Sequence, residues 1–275
     1  MTRLIVNLLL VFCLNAIAMT DNLLILISFG LFSGLLAGVL GIGGGTVLVP
    51  IIKSLGYSPV QAVATSLLAI VMTSVSGSWQ NWRTGHLNLR RVFLLALPSL
   101  FTAQIGVWLA SSIEPHILLT AFACFLIVNI FLSNFRKTII VKENDNNQAI
   151  SNPVLARFFT GGTSGFLAGL FGIGGGVILV PLQMLLLGEK IKSAIQTSLG
   201  VIVITSIAAC IGHAQRGNVL WYQGTILGMG GLIGAQISTR FLPKLPDKVV
   251  AISFNVLLGL LAAYIFYQAY YSKFG

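Results

Sequence analysis

Two apolar stretches of the sequence are interrupted by the same five residues, Gly-Ile-Gly-Gly-Gly, at positions 41–45 and 172–176. Because glycine is unfavourable inside a helix, each stretch predicts a helix that stops and restarts. A helix that restarts presents N–H groups without partners and the positive end of its dipole. Since glycine also lets a small ligand approach the backbone closely, this pattern predicts the binding of an anion by backbone amides.

Polar side chains that recur near the two breaks add hydroxyl and amide groups to this prediction. Each residue type also has a structural explanation, because membrane glycines serve close helix packing, hydroxyls bond back to their own helix, and glutamines link neighbouring helices. With those alternatives left open, the predicted substrate-binding residues are Gly43, Gly44, Gly45, Thr46, Thr65, Ser66, Gln104, Gly174, Gly175, Gly176, Thr197, Ser198 and Gln236.

The sequence carries no pattern for catalysis, nucleotides or metals. Its six acidic residues form no pair within an apolar span, so a membrane enzyme is disfavoured and no catalytic residue is predicted. Thr46 stands where a dinucleotide fingerprint needs glycine, and no Gly-Lys-Ser/Thr motif occurs. Cys13, Cys124 and Cys210 lie singly in apolar runs, which is typical of small apolar filling. No cofactor and no metal site are expected.

Three histidines, His86, His116 and His213, lie at the ends of predicted spans. A solvated or headgroup-facing side chain is the default there, and coupling to protons is the alternative. His213 has no histidine counterpart in the first half of the chain, where Asn81 occupies the matching position.

The composition indicates a helical protein that crosses a membrane several times. Of 275 residues, 56% are hydrophobic and 8% are charged, against about 25% charged in soluble domains, and the mean hydropathy is +0.94. The net charge of +10 comes from cations between apolar runs, which is typical of loops facing an anionic leaflet and not of a nucleic-acid surface. The expected partners are membrane lipid and a small anion, and the expected location is the cell (inner) membrane. Self-association is left open.

Much of the chain is duplicated. The segments 34–50 and 165–181 are identical at 12 of 17 positions. Thr-Ser-Leu recurs at 65–67 and 197–199, and Ala-Gln-Ile recurs at 103–105 and 235–237. These matches predict an all-α fold of two homologous halves, each with a Gly-broken helix hairpin and three spanning helices, or eight to ten membrane segments in total.

Four segments follow from this pattern. Residues 1–20 hold Arg3, an apolar run and Ala16-Ile-Ala18, which predicts either a cleaved secretory signal or an uncleaved first membrane helix. Residues 21–135 are the first membrane repeat, 136–153 a polar linker, and 154–271 the second membrane repeat.

Loop charges predict that the two halves are inverted, because cations favour the cytoplasm. The predicted topology places the linker in the cytoplasm and the C-terminus outside. Paired helix breaks in inverted halves are a sequence indicator of a transporter's binding site near the midplane. In the first half one face carries Arg83, Arg90 and Arg91 against Lys53 on the other, whereas in the second half the matching faces carry Arg216 against Lys190, Lys192, Arg240, Lys244 and Lys248.

The duplicated motif resembles that of the sulfite exporter TauE/SafE family of membrane permeases. The resemblance rests on Gly-Leu-Leu-Ala-Gly at 34–38, Gly-Ile-Gly-Gly-Gly-Thr at 41–46, Val-Pro at 49–50 and Ala-Thr-Ser-Leu at 64–67, and it extends from about residue 22 to 271. It implies transport of small sulfur oxyanions or organosulfonates, such as sulfite or sulfoacetate, across the bacterial inner membrane. The chain departs from the pattern at its signal-like Met1–Ala18 and at Val177, which replaces Thr46 in the second copy.

The function that these observations predict is a secondary transporter that moves a small anion, with sulfite or an organosulfonate as the expected substrate. The anion would bind between the two breaks, and rocking of one half against the other would give alternating access. The alternative is a membrane scaffold or docking subunit that transports nothing, in which the glycines serve packing alone.

Overall fold

A computed structural model describes residues 23–142 and 153–274 of the chain, with side chains described at 23–133 and 154–270. This part of the chain is all α-helix apart from turns and one 3₁₀ turn, Leu242–Lys244. Its helices are α1 (Leu23–Leu40), α2 (Gly45–Ser54), α3 (Pro59–Arg83), α4 (Leu89–Ser112), α5 (Pro115–Lys142), α6 (Pro153–Phe171), α7 (Gly176–Leu186), α8 (Ile191–Ala214), α9 (Trp221–Phe241) and α10 (Asp247–Phe274).

Seven of the described helices, namely α1, α3, α4, α5, α6, α8 and α10, are long and apolar enough to cross a membrane. The helices α2 and α7 are apolar but short. The 21-residue helix α9 carries five glycines, which favour close packing but add little hydropathy. The predicted all-α polytopic membrane fold is confirmed, and the seven candidate spans become eight when α9 is added and ten when α2 and α7 are added as well.

Helix ends follow local capping, and several lie beyond the predicted positions. A capping box at Ser58, closed by Gln61, starts α3 with Pro59 in the first turn. In the sequence, Trp79, Trp82 and Arg83 indicate a membrane interface and predict a helix end at about Gly77. The helix instead continues to Arg83, because Trp and Arg side chains reach the interface from a helix as well as from a loop.

Helix extends at both ends into the range 136–153 that the sequence predicts as a polar linker. Helix α5 continues through residues 136–142, where Thr138-Ile-Ile-Val prolongs the apolar run and no Gly or Pro stops it. The next helix already includes Pro153. The rest of the linker, 143–152, and the signal-like segment 1–20 lie outside the described residues.

The helix that precedes each break packs against a helix of the other half. In α1, a side chain at Gly30 or Gly34 would overlap the backbone of Leu227 or Gly231 in α9. Small residues at such contacts allow helix backbones to approach closely in membranes. In the same way, side chains at Gly161 and Gly165 of α6 would overlap the backbones of Leu95 and Ser99 in α4.

These contacts also give the directions of the helices. In the contacts between α1 and α9, a later residue of one helix touches a later residue of the other, so these two helices are parallel. The same holds for α6 and α4. Contacts of Leu68 with Gly224 and of Ser76 with Leu232 make α3 parallel to α9. Contacts of Arg91 with Ser193 and of Gln104 with Ala208 make α4 parallel to α8. Because the five-residue turn 84–88 reverses the chain, α1, α3 and α9 run opposite to α4, α6 and α8.

The bundle therefore has two ends, and the one where α5 finishes and α6 begins is called the linker end. An ion pair between Arg91 and Glu189 (2.6 Å) joins the two halves there. At the opposite end, Gln223 Nε2 donates a hydrogen bond to the hydroxyl of Tyr57 (2.9 Å). Of the eleven Lys and Arg residues whose side chains are described, two (Lys53 and Arg216) lie at the opposite end, and the linker end carries the other nine: Arg83, Arg90, Arg91, Arg157, Lys190, Lys192, Arg240, Lys244 and Lys248.

Candidate functional site

The two glycine breaks lie against each other, fully buried. A side chain at Gly45 would overlap the carbonyl oxygen of Gly172, and one at Gly176 would overlap that of Gly41. The side chains of Ile70 and Ile202, from the middles of α3 and α8, lie beside both breaks. The structure therefore brings the predicted glycines Gly43, Gly44, Gly45, Gly174, Gly175 and Gly176 into one place.

A serine from each half holds the break of the other half. Ser66 Oγ donates a hydrogen bond to the carbonyl oxygen of Gly172 (2.7 Å), and Ser198 Oγ donates one to that of Gly41 (3.0 Å). Each hydroxyl also lies 2.8 Å from a carbonyl of its own helix. We call the first two contacts the reciprocal serine bonds. Because each hydroxyl proton points to a carbonyl, the serine oxygens can accept, but not donate, a further hydrogen bond in this conformation.

A second pair of serines was missed by sequence reasoning. Ser33 Oγ donates to the carbonyl oxygen of Gly44 (2.9 Å), and Ser164 Oγ donates to that of Gly175 (3.1 Å). These bonds fold each break back along the helix before it. Gly44 and Gly175 both have φ of 82° at the start of the next helix. The signal was present, since Ser-Gly begins both copies of the motif, at 33–34 and 164–165.

Several buried hydrogen-bond donors at the breaks have no partner among the residues that the structure describes. The non-helical amides of residues 42–44 and 173–175 donate no hydrogen bond of ordinary geometry to another residue that the structure describes. The first amides of α2 and α7 have no partner within their own helices. Thr46 Oγ1 is fully buried and also lacks a partner among the described residues. Buried donors of this kind are rare in proteins and are normally satisfied by water or a ligand.

The predicted threonines Thr65 and Thr197 each precede one of the serines that form the reciprocal serine bonds. Thr65 Oγ1 accepts a hydrogen bond from the amide of Leu220 (3.1 Å), whereas Thr197 is buried beside Ser198. Their direct binding of substrate stays a prediction.

The two predicted glutamines link helices outside the breaks. Gln104 is exposed, and its Nε2 donates to the carbonyl oxygen of Ala208 (2.6 Å). Gln236 accepts a bond from Ser76 Oγ at 3.4 Å. Gln104 also lines a surface groove of about 400 Å³ between α4 and α8. These contacts fit the helix-linking alternative.

Metal-binding groups and paired cysteines are absent from the residues that the structure describes. Among them, no three His, Cys, Asp or Glu residues lie together where they could hold a metal ion. Cys124 and Cys210 are free thiols, the first exposed and the second buried.

We expect the reciprocal serine bonds to stabilise the fold. Replacing Ser66 or Ser198 by alanine leaves a buried carbonyl without its donor from the other half, which lowers the free energy of unfolding by about 1–3 kcal/mol. Thermal unfolding in detergent measures this loss. Ser28→Ala is the matched control, because Ser28 is exposed and its hydroxyl donates to the carbonyl oxygen of Leu24 in its own helix. A Ser66→Ala variant as stable as Ser28→Ala would contradict the role of these bonds.

Comparison with known proteins agrees with this architecture. The sequence model of the family described as "Sulfite exporter TauE/SafE" matches residues 26–265. The chain is 26% identical to "Probable membrane transporter protein YunE" of Bacillus subtilis, over 91% of this chain and 100% of the relative. It is 28% identical to "Probable membrane transporter protein YjnA" of the same organism (86% and 97%) and 26% identical to "Probable membrane transporter protein MJ0441" of Methanocaldococcus jannaschii (87% and 94%). The chain belongs to the sulfite exporter TauE/SafE family, and it is a multi-pass membrane transporter and not an enzyme.

Proposed function

We propose that this transporter moves a small anion, namely a sulfur oxyanion such as sulfite or an organosulfonate, and binds it where the two breaks meet. The observation that carries this proposal is the buried set of free donors there: the break amides and the Thr46 hydroxyl. Desolvated donors are costly when left unpaired, and an anion satisfies several of them at once. The positive dipole ends of α2 and α7 add to the attraction.

The absence of a fixed charge suits a carrier. The sequence has no Lys, Arg, Asp or Glu from Leu23 to Ile52, nor from Phe158 to Gly188. A buried cation would bind an anion tightly and release it slowly, whereas neutral amides and a hydroxyl bind it more weakly. This favours release on either side of the membrane.

The two halves act as inverted repeats in this proposal. The serine bonds are reciprocal, with Ser66 on Gly172 and Ser198 on Gly41. The packing of α1 on α9 is matched by the packing of α6 on α4. Corresponding helices, such as α3 and α8, run in opposite directions. Inverted repeats support alternating access by rocking of one half against the other around a central site.

The charge distribution supports an orientation with the linker end in the cytoplasm. Nine of the eleven described cations lie at that end, and cations favour the cytoplasmic side. Helix α10 starts at the linker end, so its C-terminus reaches the other side. We expect a tag after Gly275 to be labelled from outside intact cells, and a tag inserted within 143–152 to be labelled only after lysis. A C-terminal tag protected in intact cells would overturn this orientation, but not the transport function.

Transport itself is tested with purified protein in proteoliposomes. We expect saturable uptake of labelled sulfite, sulfoacetate or sulfate, and competition among those that are transported. Empty liposomes give the background. Folded, reconstituted protein that takes up none of these anions would overturn the proposed substrate class.

A further inference from the structure

Helices α3 and α8 each carry a row of buried or partly buried polar residues on the face that touches the breaks. Steps of three and four residues place such a row on one side of a helix. Ser66 and Ile70 of α3 contact the breaks, as do Ser198, Ile202 and Ser206 of α8. We define the α3 row as Ser66, Ser74, Ser78 and Asn81, and the α8 row as Ser198, Ser206, Cys210 and His213.

Each row contains polar atoms that have no partner among the described residues. In the α3 row these are Ser78 Oγ and the Nδ2 of Asn81, which is 2% exposed. In the α8 row it is Nδ1 of His213, which is fully buried. His213 Nε2 contacts the carbonyl oxygen of Gly169 (3.0 Å), so the ring is held in place with its other nitrogen free. Such atoms lower stability unless something else satisfies them.

The two rows extend from the breaks in opposite directions. Helix α3 runs towards the linker end, so Ser74, Ser78 and Asn81 lie between the breaks and that end. Helix α8 runs the other way, so Cys210 and His213 lie between the breaks and the opposite end. At 1.5 Å per residue, each row reaches about 16 Å from the central isoleucines Ile70 and Ile202. The partnerless atoms of Ser78 and Asn81 therefore lie on one side of the breaks, and that of His213 lies on the other side, with the Thr46 hydroxyl at the breaks themselves.

We propose that the α3 and α8 rows line the path of the substrate on the two sides of the central site. This inference rests on the proposed transport of a small oxyanion. Asn81 and Ser78 donate hydrogen bonds to the anion on the linker side, and the imidazole of His213 meets it on the opposite side. Asn81 and His213 are buried, and the Oγ atom of Ser78 is also buried, so both halves of the path are closed in this conformation. Alternating access opens one row at a time.

Cys210 is a native probe of the α8 row, because it lies one turn from His213 on the same face. Its counterpart in the α3 row is Ser78, at the same distance from Asn81. Cys124 is exposed on the outer surface and belongs to neither row. Two single-cysteine variants therefore form a matched pair. The first keeps Cys210 and carries Cys13→Ser and Cys124→Ser. The second carries Ser78→Cys, with Cys13, Cys124 and Cys210 all replaced by serine.

The test is modification by a membrane-impermeant methanethiosulfonate, added to either side of proteoliposomes of known orientation. We expect Cys210 to react only from the opposite end, Ser78→Cys to react only from the linker end, and either reaction to reduce transport at least tenfold. Transported sulfoacetate at ten times its Kd should slow the reaction about tenfold, because it occupies the path. Sulfite is not used for protection, because it consumes the reagent. A variant that keeps only Cys124 should transport normally after treatment.

The outcomes separate the two proposals. Anion transport with both row cysteines unreactive, or with both reactive from the same side, would overturn the path and leave the proposed function intact. Side-specific reaction without transport of any sulfur oxyanion would overturn the substrate class and support the path.

Discussion

Replacing Gly175 by alanine is expected to abolish transport, whereas the same change at Gly188 leaves transport near the wild-type level. Both glycines have positive φ, 82° and 65°, so a Cβ costs about 1–2 kcal/mol of backbone strain at either position. The two positions differ in the space available for a Cβ atom. At Gly175 the Cβ would overlap Ser164 Oγ and come within 2.6 Å of the Ser164 carbonyl oxygen, whereas at Gly188 no atom lies within 4 Å.

The extra overlap at Gly175 separates α7 from α6 and displaces the amides that form the candidate site. We expect the variant to insert into the membrane, to unfold at a lower temperature than Gly188→Ala, and to lose uptake in proteoliposomes. The first half offers an independent repeat of the comparison, because Gly44 is crowded by Ser33 and Gly56, at φ 92°, has open space. If Gly175→Ala transported as well as Gly188→Ala, the break would tolerate a side chain at this position, and close packing of Gly175 on Ser164 would not matter for transport.

The sequence predicted the broken helices but not the contacts that hold them. Glycine clusters in apolar runs and the Thr-Ser repeat are local features, and the structure places the glycines together as expected. The acceptor of the Ser66 hydroxyl is 106 residues away, in the other half, and no spacing rule gives such a partner. Ser66 and Ser198 were therefore predicted as substrate ligands, and their observed bonds give them a positioning role in this conformation.

The partners of the glutamines also could not be predicted from the sequence. Gln104 lies in the middle of an apolar helix, and its position in the sequence indicates only that its amide needs a partner. Which face of α4 turns towards α8 depends on the packing of Gly212 against Gln104, which is a tertiary contact. The length of α3 is underestimated from the sequence because Trp79 and Trp82 indicate a membrane interface but not the end of a helix. In the structure both residues belong to α3, and their ring centroids lie 5.3 Å apart.

Replacing Thr46 by valine is expected to weaken transport without destabilising the protein. Thr46 Oγ1 is buried and has no partner among the described residues, so valine, which has nearly the same shape, removes an unsatisfied polar atom. The second half already has Val177 at the matching position, where it is fully buried. The hydroxyl contributes a hydrogen bond only when the anion is bound, and bonds to charged groups contribute about 1.5–3 kcal/mol. We therefore expect an affinity lower by about 10- to 150-fold.

Uptake kinetics measure the expected loss of affinity, and thermal unfolding without substrate measures the expected unchanged stability. Thr46→Ser keeps the hydroxyl and should retain most of the affinity. Thr160→Val is the matched control, because Thr160 is equally buried but donates to Ala156 of its own helix (2.7 Å), away from the breaks. A Thr46→Val variant with unchanged uptake would remove Thr46 from the site, and one that unfolds at a lower temperature would make its hydroxyl structural. A stable variant with weak uptake would place the anion at the free donors where the two breaks meet.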